Sequence, residues 1–517
     1  MSAGLPLVSA GVGVVFTAIL ASCIIAYFRD PLNLRRFPGA HPIAPFTSAW
    51  TMYYCWKLKR FWGIHCAHEK VGPIIRIQPD HISFNVGEAI EEIYGHGKDL
   101  MKAPFYDTLA SYQRSMFDTT DRVEHGLKRK YVSHMFAART VTQLEDVVAN
   151  TTQKLFNVFD RHADMKDPSE QWLNMRHWIS MYAFDIIGDL GFGVNLGCLE
   201  SGTDMLEAES RAGKKYQVSG MRGVYDGGAY NVFWGQAASF LKYSKWFTQW
   251  GTGRFYADAF FDIAIRLVRN RMPTPDVDAK SHEQSRRFDL WQRLVIDKRG
   301  EAMNLDSEEL YAEAAVLMIA GSDTSGTGLC NTIMYLAQNP DKMAKVRAEI
   351  DAALSPDTVV SPHDAVKDLP YLWACINESL RLRPPNAQGL PRIVSEKGAV
   401  IQGYEMKPGT VVSVPTFSVH RNPKYFKDPN KFIPERWINN PDENEALALK
   451  KYVIPFSHGS RSCIGRNLAM LELQVAVSSL VHRYNFEMQY PDKEIQIFER
   501  FNSNPENFWV KVTRRTT

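Results

Sequence analysis

The sequence predicts a mainly α-helical protein with a minor β portion, folded as a single large unit behind an N-terminal transmembrane helix. Three observations lead there. Helical apolar spacing recurs along the chain, whereas strand-like runs are few and short. No charged residue occurs from Leu5 to Phe28. One proline-dense stretch follows, and no second linker, internal repeat or low-complexity run interrupts the remaining chain.

Taken in order, residues 1–28 read as a membrane anchor. At about 1.5 Å per residue, a helix over these about 24 uncharged positions spans roughly 36 Å, enough for a hydrocarbon core of about 30 Å. A cleaved signal peptide would carry a basic leading region and a shorter apolar run. Arg29, Arg35 and Arg36 follow directly, which places the bulk of the chain on the cytosolic side. Residues 29–45 form a linker whose Pro38, Pro42 and Pro45 favour a stiff, extended spacer. Residues 46–517 form one large globular domain.

Within that domain, Pro73–Ile77 and His81–Asn85 flank Gln78-Pro79-Asp80 and predict a hairpin. Val141–Asp160 and Trp172–Leu190 carry helical spacing, and the stretch from Leu199 to Met272, rich in Gly and aromatics, has no clear period. Asp306-Ser307-Glu308-Glu309 is a capping box opening a helix of roughly 50 Å that runs to Pro340. Another helix covers Pro370–Leu382, stopped by Pro384-Pro385, and short strands follow at Val400–Tyr404 and Val411–Val414.

Composition narrows the function. The 517 residues hold 60 Lys+Arg and 57 Asp+Glu, a formal net charge of +3 without a basic run, which argues against nucleic-acid binding. The balance of 45% hydrophobic and 23% charged residues is that of a globular protein. Seven scattered cysteines with no CxxC pair indicate neither a disulfide framework nor a structural zinc site, and fit a reducing compartment.

The most informative stretch runs from Phe456 through Gly459, Arg461 and Cys463 to Gly465, an FxxGxRxCxG pattern. Five fixed positions, each about one in twenty, arise by chance in roughly 10⁻⁴ of chains this long. The stretch resembles the haem-ligand loop of the cytochrome P450 family, whose fold and haem-thiolate chemistry the resemblance implies. A thiolate ligand makes iron electron-rich enough to favour O–O cleavage. Cys463 is expected to open the helix continuing through Leu468, Leu471, Leu473 and Val475, where helix-end amides favour thiolate. Gly459 and Gly465 are expected to let backbone approach the macrocycle, Arg461 to neutralise a haem propionate, and Phe456 to shield the sulfur.

Three further patterns occur in the family's order. Ala320-Gly321-Ser322-Asp323-Thr324-Ser325 matches its AGxDTT-type signature, a polar patch in an apolar helix. The resemblance implies that Asp323 and Thr324 deliver protons during dioxygen activation, with Asp323 linking Thr324 to solvent. Glu378 and Arg381 form an ExxR that chance alone would produce about once in such a chain. With Arg436 of the downstream Pro434-Glu435-Arg436-Trp437, the resemblance implies a buried ionic network of structural role. Arg392 matches the family's propionate-binding arginine, and His125 with Arg129 stands where many members have WxxxR, His replacing Trp. The implied cofactor is haem b, iron protoporphyrin IX.

Blocks outside these signatures resemble the fungal benzoate para-hydroxylase subfamily. They include Tyr94-Gly95-His96-Gly97, Arg122-Val123-Glu124-His125 and Phe184-Asp185-Ile186-Ile187-Gly188-Asp189-Leu190. They imply 4-hydroxylation of benzoate with O₂ and NADPH; another small carboxylic acid or aromatic compound, hydroxylated or oxidatively decarboxylated, is the alternative. Arg114 and Tyr106 are candidate carboxylate donors, with Tyr112, Gln113, Asn386 and Gln388 as alternatives. The chain has no GxGxxG of its own, so the family implies the NADPH-cytochrome P450 reductase of the endoplasmic reticulum membrane as electron donor, docking on Lys128, Arg129, Lys130, Lys450 and Lys451. Two other classes compete. A haem-thiolate isomerase or dehydratase needs no dioxygen, and the Asp323-Thr324 pair speaks against it; a non-catalytic haem-binding membrane protein would not need Asp323, Thr324 and Cys463 together.

Overall fold

The computed structural model describes residues 17–18, 20–110, 113–240, 243, 246, 248, 251–272, 289–296, 303 and 305–515. Most of the predicted anchor lies outside these residues. Among them, no helix is long and apolar enough to cross a membrane. Residues 20–29 are helical, with Leu20, Ile24, Ile25 and Phe28 exposed. The proline-rich linker does not stand off as a spacer. It packs on the domain, burying Leu34, Phe37 and Ala44, and Pro38 and Ala40 bond to the backbone of Arg76.

The body is helical around one long central helix. The elements that build the site are α1 (Arg122–Val132), α2 (Met175–Phe192), α3 (Gly220–Gly235), α4 (Thr252–Arg271), α5 (Ser307–Gln338), α6 (Pro370–Leu382) and α7 (Arg466–Arg483). As predicted, α5 starts at its capping box: the Asp306 carboxylate accepts from the Glu309 amide at 2.8 Å. It packs against α2, α4, α6 and α7 and so crosses the main core. Gly321 makes the closest of these approaches, since a Cβ there would sit 2.4 Å from Ile187 of α2.

The β portion is small. Strands β1 (Ile74–Gln78), β2 (His81–Phe84), β3 (Leu100–Lys102), β4 (Arg392–Val394) and β5 (Val411–Ser413) form one sheet in the order β1-β2-β5-β4-β3. The predicted first hairpin is present, pairing Ile74 with Phe84. The predicted strand at 400–404 is instead a hairpin, because Gln402 and Gly403 turn at φ +50° and +77°. The unassigned middle holds a further hairpin, Met205–Glu209 with Lys215–Ser219, followed by α3 and α4. Near the C-terminus β6 (Ile497–Glu499) and β7 (Ser503–Pro505) form a two-stranded hairpin whose tip is Arg500-Phe501-Asn502.

Candidate functional site

These elements enclose a cavity of about 360 Å³ that reaches the cysteine loop on one side and the roof helices α3 and α4 on the other. Cys463, Phe456, Arg461, His125, Arg129 and Thr324 all line it. Cys463 does not open α7. It lies in the loop before it, with Gly465 as the cap, and its amide donates to the Phe456 carbonyl at 2.8 Å. Its side chain counts as exposed by surface area, yet the space it faces is the internal cavity. Burial therefore raises its thiol, against which the Gly465 amide and the Arg129 and Arg466 charges act. The protein itself requires Gly459: its φ is +71°, and a Cβ would stand 1.8 Å from the Tyr94 carbonyl oxygen.

A group of buried and half-buried cations borders the same space. Arg461 donates to the carbonyls of Thr119 (2.8 Å), Thr120 and Asp121 (both 3.2 Å), and Arg129 donates to the Ser462 carbonyl at 2.9 Å. Lys102, which sequence reasoning missed, lines the cavity between the rings of Tyr106 and Phe117. Arg392 is buried behind the lining, donating to the Tyr106 hydroxyl at 3.3 Å. None of these four cations has an ion-pair partner among the described residues. Burial, and then the charges of Arg392 and Arg461, hold Lys102 well below its usual range. Burial followed by Arg392 lowers Arg461 to about 10, and burial with the surrounding cations lowers His125 to about 3, leaving a neutral imidazole. Two nearby carboxylates oppose them: Asp118, which accepts from the amide and hydroxyl of Ser115, acts on Lys102, and Asp121 acts on Arg461. Four crowded cations around an apolar void are what two ligand carboxylates would neutralise, so the residues fit haem and its propionates.

On the central helix, the Thr324 hydroxyl donates to the Ala320 carbonyl at 2.6 Å, leaving its lone pairs to accept from the cavity. Asp323 is clamped: Asn502 and Asn504 each donate an amide to its carboxylate at 2.8 Å, and Arg176 stands 3.9 Å away. Behind it Ser180, Tyr225 and Thr327 border a void of about 10 Å³, the size of one water. Two further acids line the main cavity. Glu313 accepts the Met116 amide at 2.7 Å, and burial raises its carboxyl to about 7 with Lys128 opposing. Glu472 of α7 has a buried, unpartnered Oε1, and burial likewise raises it to about 7.

The ionic network forms away from this cavity. Glu378 and Arg381 are fully buried and paired through two bonds of 2.8 and 2.7 Å, while Arg436 Nε and Trp437 Nε1 donate to the same carboxylate at 3.0 and 2.9 Å. Burial pushes the Glu378 carboxyl up, but Arg381 and Arg436 outweigh it and hold the group low.

Other candidates are not brought to the cavity. Arg114 is paired with Asp107 at 2.7 Å, and Tyr106 is buried behind the lining. Tyr112 lies outside the described residues. Of the predicted docking cations, Lys128 turns inward to Glu309 at 2.8 Å and to the Arg114 carbonyl, and Arg129 faces the cavity; Lys130, Lys450 and Lys451 stay exposed.

A family profile for cytochrome P450 matches residues 44–512. The chain belongs to the cytochrome P450 family, which implies a haem-thiolate iron held by Cys463. Over 508 residues, 96% of each chain, it is 33% identical to benzoate 4-monooxygenase bphA of Aspergillus niger. It is 30% identical to cytochrome P450 monooxygenase BOT4 of Botryotinia fuckeliana over 90% of this chain and 83% of that one. To cytochrome P450 monooxygenase ORF9 of Penicillium roqueforti it is 30% identical, over 88% and 84% respectively.

Proposed function

We propose that this monooxygenase hydroxylates benzoate at the para position, using O₂ and electrons that reach it from NADPH through a reductase, at the endoplasmic reticulum membrane. The observation that carries the reading is the 33% identity to a benzoate 4-monooxygenase along 96% of both chains. When bound, haem supplies the redox chemistry that activates dioxygen. The chain's own residues do the rest. Cys463 would hold the iron from the loop before α7, and Arg129, Arg461, Lys102 and His125 would hold the propionates, backed by Arg392. Thr324 presents its hydroxyl to the cavity, and Asp323, oriented by Asn502 and Asn504, is the acid next to it that relays protons. The rings of Phe117, Phe260, Phe261 and Phe501 exclude water around an aromatic substrate. Exposed Lys130, Lys450 and Lys451 offer positive charge to an acidic flavoprotein.

The test is direct. Membranes holding the protein and a reductase receive benzoate and NADPH, and products are separated by ring position. The 4-hydroxy isomer is expected; the 2- or 3-hydroxy isomer, or NADPH use without ring hydroxylation, refutes the reading.

A further inference from the structure

A small aromatic acid brings one negative charge into a largely apolar chamber, and burying that charge without a partner costs several kcal/mol or more. Some cation facing the chamber has to meet it. The cations around Cys463 are the ones assigned above to the propionates, and Arg114 is already paired with Asp107. Among the described residues, one other cation lines the cavity: Arg500, at the tip of the β6–β7 hairpin.

Arg500 is held firmly and left without an anion. Its amide donates to the Asn502 carbonyl at 2.9 Å, closing the hairpin tip. The tip packs against the glycine face of α3, where a Cβ on Gly228 would lie 3.9 Å from the Arg500 Cβ. The guanidinium sits over the rings of Tyr225 and Phe498, at 4.8 and 5.6 Å to their centroids. Among the described residues it forms no ion pair. The acids close enough to act on it are engaged elsewhere. Asp323 takes two asparagine amides and the charge of Arg176, while Asp226 is bonded to Arg222 at 2.8 Å. Burial, and then the like charge of Arg176, lowers the Arg500 guanidinium below its ordinary range, so an incoming anion relieves both. Two lining residues complete the setting. Phe501 meets Phe117 edge-on at 5.8 Å, giving an aromatic wall beside the charge, and the Asn386 amide oxygen is buried in the lining without a partner. An unbonded amide can turn its NH₂ toward a carboxylate.

We infer that Arg500 is the substrate-carboxylate anchor of this enzyme, with Asn386 as a supporting donor, and that the chamber selects monoanionic carboxylic acids over their neutral counterparts. The inference rests on the hydroxylation proposed above, but it concerns where the acid group is held and not which ring carbon reacts.

Substrate-induced shifts of the haem Soret band give dissociation constants for benzoate, octanoate and methyl benzoate with the full-length haem protein and its Arg500→Gln and Arg500→Lys variants. Arg500→Gln is expected to weaken benzoate binding about 30-fold, the scale of a charge-assisted hydrogen-bonded pair, and to leave methyl benzoate within about threefold. Arg500→Lys keeps the charge without the fork and is expected to fall between wild type and Arg500→Gln for benzoate, with the ester again unmoved. An unchanged carbon monoxide spectrum shows that each variant keeps its haem site. Benzoate binding unchanged in Arg500→Gln, equal losses for acid and ester, or a wild-type protein that takes up no carboxylic acid overturns the anchor. The two proposals fail separately. Arg500-dependent binding of octanoate without benzoate hydroxylation sinks the benzoate reading and keeps the anchor; para-hydroxylation that survives Arg500→Gln does the reverse.

Discussion

At the residue scale, two side chains yield sharp tests. Cys463 is the one cysteine of the seven that faces the cavity, so Cys463→Ser is expected to abolish the thiolate-type Soret position of the carbon monoxide complex while the helical circular dichroism stays unchanged. Glu472 gives a pH dependence. Its native carboxyl titrates near 7, against about 4.5 in the unfolded chain, because burial penalises its charge. Between those values the native state keeps a proton that the unfolded chain has lost, so stability falls as pH rises from about 4.5 to about 7 and then levels off. Glu472→Gln removes this term, and its thermal midpoint is expected to exceed wild type at pH 8 by more than at pH 5, with a ceiling of about 3 kcal/mol. Equal differences at the two pH values would refute the assignment. The signature residues were legible in the sequence because each sits in a short run whose spacing alone identifies it. Lys102, Asn502, Asn504 and Arg500 were not. Lys102 ends β3, whereas Arg500, Asn502 and Asn504 belong to the β6–β7 hairpin, and only the packing of these distant segments brings them to the cavity and to Asp323.

At the scale of elements, the long central helix announced itself through its capping box, and the hairpin of β1 and β2 through its turn. The roof did not. Helix α3 carries Gly220, Gly223, Gly227, Gly228 and Gly235, which lower helix propensity and erase the apolar period that a sequence reading relies on. Those glycines are contact points. A Cβ on Gly227 would meet the Ala257 Cα at 2.8 Å and its backbone nitrogen at 2.9 Å, and backbone does not yield as a side-chain tip does. Gly227→Ala is therefore expected to destabilise by about 1–3 kcal/mol through overpacking, outweighing a propensity gain of about 1 kcal/mol, as read by thermal denaturation. Since Gly227 and Ala257 both line the cavity, the same variant should weaken substrate-induced Soret shifts. A stabilised Gly227→Ala protein would show that α3 and α4 move apart at little cost.

At the scale of the whole molecule, the domain begins earlier than the proline pattern implied. Burial of Leu34, Phe37 and Ala44 makes the predicted linker part of the globular body, a role that proline content alone conceals. Deletion of residues 1–28 is thus expected to keep the carbon monoxide spectrum and thermal midpoint of the full chain while moving the protein from the membrane to the soluble fraction; loss of the haem spectrum would place folding determinants before residue 29. Deletion through residue 45 is expected to lower the midpoint as well, because it strips three buried side chains from the sheet end of the core.

The clamp on Asp323 reaches back from the last strands of the chain, some 180 residues downstream of the helix it serves. A transcript cut short after the cysteine loop would still display every recognisable signature, yet Asp323 would lose both amides that aim it. Integrity of the final two dozen residues is therefore expected to matter alongside the haem loop in separating a competent gene product from a degenerate copy.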